Sequence, residues 1–358
     1  GKDTVLPANI FYAAVCAKMH NAGRRPEVGD EVARARAFEV LRRRLVDSCR
    51  KGSNVARYPS MAFERWWYAC QDTISAGEDP VLPAHARSEE PTLVEDLTQV
   101  NIPRLEACRI ARHLGAASAK AAAALTSNRL QGSVHMRSVS KDLIVLSALG
   151  VSVSVPPACH TKLQTLYKLH NPSGNNASFQ QAVFVMLLRY QTIGGSGFQL
   201  ALPTVAFEIM VSRFNVCAEC FASPLNCWFG RYCSAFPDCD TPFGSLGSFL
   251  AFRPRRGAFE ANPPFAPTIL AAMRKHMHAL LEATTEPLSF IIAVAHWDHA
   301  EVHALLRSPF LRGQTTVPRD RQKWLDGAES RRAPVDLLIL VLQNAPASAD
   351  SAFAATDE

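Results

Sequence analysis

The sequence predicts an α/β fold, a parallel sheet with helices on both faces, preceded by a mostly helical region. Three observations predict it. From Asn215 onward, apolar runs of strand length alternate with helical stretches, which is the pattern of a covered parallel sheet. Two of those runs, Leu288–Ala295 and residues 335–342, are apolar without alternation, so each reads as a parallel strand buried on both faces. Upstream of about residue 200, three- and four-residue spacing of apolar side chains dominates, which is the period of an amphipathic helix.

In the first part, residues 30–50 read as a helix, with Val32, Ala35, Phe38, Leu41 and Leu45 on one face. Residues 61–71 read as another, carrying Trp66 and Trp67. Residues 72–103 are rich in proline and acidic side chains. They read as loop or linker, because proline removes a donor and biases the residue before it away from helix. An alanine-rich helix follows over 105–125. The segment Val151–Val155 alternates valine and serine and stops at Pro156-Pro157, as a half-exposed strand would. Helices are expected over 161–169 and 179–190, then a loop at Gly194-Gly195-Ser196-Gly197 and a helix over 205–214.

In the second part, residues 216–222 read as a strand and 225–235 as a helix. A short strand at 258–261 and a helix at 267–281 follow, with Ile269, Leu270, Met273, Met277, Leu280 and Leu281 on one side. The two apolar strands complete the sheet. The expected division is 1–200 mostly helical, with a linker near 72–103, then 201–346 as the sheet domain and 347–358 as a flexible tail.

Composition sets wide bounds. Of 358 residues, 48% are hydrophobic and 20% charged, ordinary for a globular chain. No apolar run reaches the roughly 18 residues of a membrane span, so no membrane role is expected. The formal charge of +6 is mild, and its distribution says more. Arg34, Arg36, Arg42, Arg43, Arg44, Arg50 and Lys51 crowd one stretch. Arg253, Arg255 and Arg256 form a second cluster, and Arg319, Arg321 and Lys323 a third, followed by Arg331 and Arg332. Singly each reads as a solvated face; together they make nucleic-acid binding a serious option. Five of the ten cysteines lie between Cys217 and Cys239. Only Cys217-Ala-Glu-Cys220 has zinc-type spacing, and no second close pair accompanies it. The expectation is reduced, mostly buried thiols and no metal.

One tetrapeptide carries chemistry. Asn262-Pro263-Pro264-Phe265 sits between a short strand and a helix. Asn or Asp, two prolines and an aromatic form the pattern of methyltransferases that act on planar amino or amide nitrogens. An adenine amino group has its lone pair delocalised into the ring. It must turn toward tetrahedral geometry before attacking a methyl sulfonium. The Asn262 side-chain oxygen and the Pro263 carbonyl can accept its two hydrogens, proline holds the backbone in place, and Phe265 can stack on the base. Little general-base work is needed, so catalysis rests on orientation and preorganised acceptors. Upstream, Glu219-Cys-Phe-Ala-Ser-Pro224 ends the first strand of the sheet, where an acidic, aromatic and small-residue loop would approach a cofactor. About 40 residues separate Ala222 from Asn262. Two strand–helix units of roughly 25–30 residues each do not fit there comfortably.

Longer stretches add specificity. Phe-Ala-Ser-Pro-Leu-Asn (221–226), Tyr-Cys-Ser-Ala-Phe-Pro-Asp (232–238), Phe-Gly-Ser (243–245) and Phe-Glu-Ala-Asn-Pro-Pro-Phe (259–265) resemble the phosphorylated-CTD-interacting factor family. The resemblance covers about residues 180–345. It implies a Rossmann-like methyltransferase core with an N-terminal, mostly helical accessory domain that binds RNA. It implies S-adenosylmethionine as cofactor, S-adenosylhomocysteine as product, and N6-methylation of the first transcribed adenosine beside an mRNA cap, with capped RNA as partner and a nuclear, or else cytoplasmic, location. It makes Asn262, Pro263, Pro264 and Phe265 catalytic. Glu219, Phe221, Ala222, Ser223, Pro224, Asn226 and Asp238 are assigned to the cofactor, Asp238 and Asp240 being the nearest acids for its ribose. Arg253, Arg255, Arg256 and Trp297 are assigned to substrate, the arginines facing cap phosphates and Trp297 stacking on a base. The family's animal members carry a WW module. Trp66 and Trp67 are adjacent rather than separated as that module requires, so binding to a phosphorylated polymerase tail is not supported. The cluster of His296, Asp298, His299 and His303 is expected to hold no metal.

The tetrapeptide alone also fits a DNA or internal-RNA adenine methyltransferase, and less well an enzyme for protein amides, which would leave the basic clusters without a role. A catalytically inactive RNA-binding homologue would be expected to have lost Asn262 or the aromatic; both are present.

Overall fold

The computed structural model describes residues 26–52, 61–70, 79–83, 90–127, 131–194, 199–326, 329–332 and 335–349. The chain forms helices α1 (Val28–Gly52), α2 (Ala62–Ala69), α3 (Pro91–Gln99) and α4 (Arg104–Ser127), then strands β1 (His135–Ser140), β2 (Leu143–Ala148) and β3 (Val151–Val155). Helices α5 (Pro157–His170) and α6 (Asn176–Ile193), strand β4 (Leu200–Ala201) and helix α7 (Thr204–Phe214) follow. After them come β5 (Val216–Glu219), the short α8 (Pro237–Asp240), β6 (Gly257–Ala261), α9 (Pro267–Ala283), β7 (Leu288–Ala295) and α10 (Ala300–Leu306). The chain closes with β8 (Leu311–Val317), β9 (Lys323–Asp326), β10 (Glu329–Arg332), β11 (Leu337–Gln343) and α11 (Ala345–Ala349). Two compact units result, one of residues 25–156 with 175–196, the other containing 157–174 and 197–358.

In the first unit, α1 packs against α4 and α6 and buries Val32, Phe38, Leu41 and Leu45. A buried ion network crosses this core. Arg189 on α6 donates to both oxygens of Glu31, each at 2.7 Å, and Arg34 bridges Glu31 at 2.9 Å and Asp79 at 2.8 Å. Arg42 is tied to Glu64 and to the carbonyls of Thr192 and Ile193. Two arginines of the first basic cluster are therefore internal ties rather than a solvated basic face, while Arg43, Arg44 and Arg50 remain exposed. Strands β1, β2 and β3 form an antiparallel meander. The turn from β2 to β3 is Leu149-Gly150, both at positive φ, the conformation a two-residue hairpin prefers. Of this sheet only β3 was legible in the sequence, because β1 is exposed along its whole length and so carries no burial pattern.

Residues 91–99, expected within a linker, form helix α3 instead. Proline is tolerated in a first helical turn, whose N–H lacks an intrahelical partner. The Glu90 carboxylate caps the Thr92 and Leu93 amides at 3.1 and 2.9 Å. Residues 71–78 and 84–89 of the same expected linker, Gly195, Ser196 and Gly197 of the expected loop, and 350–358 of the expected tail lie outside the described residues.

The second unit is the predicted α/β fold, with a mixed five-stranded sheet in the order β5-β6-β7-β11-β8. Strands β5, β6 and β7 are parallel. Strand β11 runs antiparallel to both β7 and β8, so the reading of residues 335–342 as a parallel strand is corrected. An unbroken apolar run reports burial on both faces, not chain direction. On one face α9 packs Leu270, Met273 and Met277 against Phe259, Phe290, Ile292 and Leu340. On the other, Phe207 and Met210 of α7 meet Val216, Ala258, Ile291 and Trp324. All eight residues of β7 are buried. A smaller sheet joins β10, β9 and β4. No described helix is long and apolar enough to cross a membrane.

Candidate active site at the carboxyl edge of the sheet

Because β5, β6 and β7 are parallel, their carboxyl ends share one edge, where open α/β sheets bind ligands. Three segments leave that edge, residues 220–223 after β5, 262–265 after β6 and 296–299 after β7.

The segment after β6 is Asn262-Pro263-Pro264-Phe265. Asn262 and Phe265 are half-buried and Pro263 is buried. The Ala266 amide donates to the Pro264 carbonyl at 2.7 Å, a tight turn that delivers the chain to α9, where Pro267 occupies the first turn. Asn262 is thus held on a rigid strand end, with a fixed helix start just behind it. Phe265 lies 6.4 Å from Trp297, ring to ring, at 59°, and Trp297 lies 5.6 Å from His299. The structure therefore brings the tetrapeptide expected to be catalytic and Trp297 together, with the two rings forming an aromatic wall at this edge.

The segment after β5 does not form the expected helix over 225–235. The Trp228 and Phe229 amides donate to Glu219 at 2.8 and 2.9 Å, so these donors go to a buried carboxylate rather than to carbonyls of a helical turn. Asn226 accepts from the Ser223 amide at 2.7 Å and closes a turn. Phe221 packs on Phe249. Asp238 is buried in the first turn of α8. Among the residues expected to meet a cofactor, Glu219, Ser223 and Asn226 thus spend at least one polar group shaping the loop itself. The space constraint noted between Ala222 and Asn262 has a structural answer. Tyr232 pairs with Glu219 and Ser245 pairs with Tyr232 as single parallel bridges, so the β5 edge is extended by two one-residue rungs instead of two strand–helix units. His170 of α5 donates to the Gly230 carbonyl at 2.8 Å and supports this loop.

The arginines expected to face cap phosphates are placed elsewhere. Arg253, Arg255 and Arg256 precede β6, at its amino end, whereas Asn262 follows its carboxyl end. Five strand residues put roughly 16 Å between those ends. Arg253 donates to the Leu250 and Phe252 carbonyls, and the Arg255 carbonyl accepts from Thr284. Closeness in sequence is not closeness in space here, because the strand between is extended.

The cluster after β7 has its own uses. His299 caps α10, its Nδ1 accepting from the Glu301 amide at 3.1 Å, and His303 lies 3.2 Å from Asp298. Cys220, Cys227, Cys233 and Cys239 are buried and Cys217 is half-buried, none of them in a disulfide.

One residue was not singled out from the sequence. Glu260 on β6 is 1% exposed, and neither of its carboxyl oxygens has a hydrogen-bond partner among the described residues. It pairs across the strands with Glu219. Burial, then the neighbouring acid, holds Glu260 well above the usual carboxylate range. Burial pushes Glu219 up to about 7 against the opposing pull of its two amide donors and Lys162. A single acid inside the apolar string Ala-Phe-Glu-Ala was the available signal, since carboxylates are almost never fully buried unless paired.

Comparison with known proteins follows the same segment. Residues 162–327 match the family described as "Phosphorylated CTD interacting factor 1 WW domain". In this chain the matched residues run from α5 through β9 and include β5, β6, β7 and the tetrapeptide. Mouse and human proteins named mRNA (2'-O-methyladenosine-N(6)-)-methyltransferase are each 37% identical, over 234 and 233 residues, covering 60% of this chain. This chain spans 33% of the length of each of them.

Proposed function

From the match of residues 162–327 to the phosphorylated CTD interacting factor 1 family, we propose that the protein transfers a methyl group from S-adenosylmethionine to the N6 nitrogen of the adenosine next to an mRNA cap. The observation that carries this reading is the placement of Asn262-Pro263-Pro264-Phe265 at the shared carboxyl edge of the parallel strands, against Trp297. The names of the mouse and human relatives support the substrate.

On this reading the base enters against Phe265 and Trp297. Asn262 and the Pro263 carbonyl accept the two amino hydrogens and draw the nitrogen toward tetrahedral geometry. Their positions are set before substrate arrives, so the gain is one of orientation, for which roughly 7–11 kcal/mol is available in well-placed systems. The proton of the methylated nitrogen leaves after transfer, which agrees with the absence of a required base in the tetrapeptide. When bound, the cofactor supplies an electrophilic methyl sulfonium. The residues present fit such a group, because a cationic ligand suits an edge with two buried acids, one of them without a partner. The segment of Phe221, Ala222, Ser223 and Pro224 would line it.

The test is methyl transfer to matched short RNAs, capped and uncapped, beginning with A or G, followed by nucleoside mass spectrometry. Methylation confined to capped RNA beginning with A is expected. Transfer to internal adenines or to DNA, with none to capped A, would keep the chemistry and overturn the substrate. Asn262→Ala should reduce transfer by at least about 100-fold, as loss of a preorganised polar group does, with the thermal midpoint little changed. Normal activity in that variant would remove the assignment.

A further inference from the structure

We propose that Glu260 is the acceptor for the ammonium group of the amino-acid portion of the methyl donor, and that binding of that group displaces a proton from the Glu219–Glu260 pair. The inference rests on the function proposed above and names a residue of the same site.

Four observations carry it. Glu260 and Glu219 are directly opposed on adjacent parallel strands, and both are almost fully buried. Glu219 is committed, its carboxylate holding the Trp228 and Phe229 amides. Glu260 is uncommitted, both oxygens lacking any hydrogen-bond partner among the described residues. Glu260 also stands two residues before Asn262, at the carboxyl end of β6 from which the tetrapeptide leaves. An unpaired buried carboxyl is costly, and this one is placed beside the tetrapeptide. A ligand that brings a cation would turn that cost into a charge-assisted hydrogen bond.

The proton balance is simple. Burial and two acids side by side favour a shared proton in the free protein, with the neutral form at Glu260. The ligand arrives as an ammonium, the Glu260 carboxyl ionises, and one proton goes to the buffer. The other groups facing the pair are Lys162 from α5, which pulls Glu219 down, and the Cys220, Cys227 and Tyr232 side chains, all pushed up by burial and so neutral through the range concerned. Affinity should therefore rise with pH up to the point where Glu260 ionises unaided, by as much as about tenfold per pH unit.

The experiment is calorimetric binding to the full 358-residue chain and to its Glu260→Gln variant. Three ligands are used, S-adenosylmethionine, S-adenosylhomocysteine and 5′-methylthioadenosine, which lacks the amino-acid portion. Titrations run from pH 6 to 9 in two buffers of different ionisation enthalpy. For the first two ligands the wild type should release about one proton, and Glu260→Gln should weaken binding about tenfold or more and flatten the pH dependence. Methylthioadenosine should bind both forms equally, which also reports an intact pocket. If all three ligands bind the variant as they bind the wild type, with the same pH dependence, the inference fails and the proposed function stands. Equal weakening of methylthioadenosine would make Glu260 a structural residue and overturn it too. If the wild type binds none of the three, the proposed function falls and the inference with it.

Discussion

Phe265 meets Trp297 across the site, and its effect on activity can be separated from its effect on folding. Its ring is half-buried, so Phe265→Ala should cost modest stability but remove stacking of about 1–3 kcal/mol on a base. The expected loss in kcat/KM is then about 5- to 150-fold, and an unchanged value would end its stacking role. Gly244 is constrained more severely. It has a φ of +109°, and a Cβ there would run into the Gly230 carbonyl oxygen and the His170 ring. Backbone cannot step aside as a flexible side chain can. Gly244→Ala should therefore destabilise the protein by about 1–3 kcal/mol, read as a lower urea midpoint with unchanged slope. Asn262 and its neighbours were legible in the sequence because their residue types form a recognisable local pattern. Glu260 was not, because its importance lies in what fails to surround it.

The strand-to-loop junction after β5 is the element on which the site depends. Glu219 holds Trp228 and Phe229 by their amides, Tyr232 and Ser245 extend the sheet by one rung each, and Phe207 stacks on Trp228 at 5.3 Å. Glu219→Ala would leave buried amide donors unsatisfied, at about 1–3 kcal/mol. The expected signature is faster hydrogen exchange at Trp228 and Phe229, and unchanged exchange there would show that the carboxylate does not hold the loop. The helix expected over 225–235 failed because a distant acid outbids local hydrogen bonding. Helix α3 was missed for the reverse reason, since Glu90 and Pro91 form a helix start that proline-rich composition disguised.

For the whole molecule, the half-buried His170 and the buried Glu219 pull its pH dependence in opposite directions. Burial, with Arg231 nearby, pushes His170 down to about 4 from its ordinary 6.5. The folded state then keeps it neutral while the unfolded chain takes a proton, so stability is lost as pH falls from about 6.5 toward 4. Glu219 is pushed up to about 7 from 4.5. Here the folded state holds the proton, and stability is lost as pH rises from about 4.5 to 7. The contributions oppose each other across one window. His170→Gln, which can still donate to Gly230, should leave a thermal midpoint that falls as pH rises from 5 to 7, relative to the wild type. Glu260→Gln, by relieving the acid pair, should shift the profile the other way. Parallel profiles in all three proteins would show that neither His170 nor Glu260 is coupled to folding.

Residue types and their periodicity were enough to determine the helices α1, α4, α6 and α9 and the buried strands β6 and β7, and to single out the tetrapeptide between β6 and α9. Each of these is a local fact, a period of 3.6, an unbroken apolar run, or side chains that serve a planar nitrogen within four positions. Tertiary structure alone decided the direction of β11, the use of Arg34 and Arg42 as internal ties, and the meeting of Glu219 with Glu260 across 41 positions of chain. The physical reason is common to all three. Burial and charge depend on which segments are brought side by side, and no local pattern encodes a partner that lies tens of residues away.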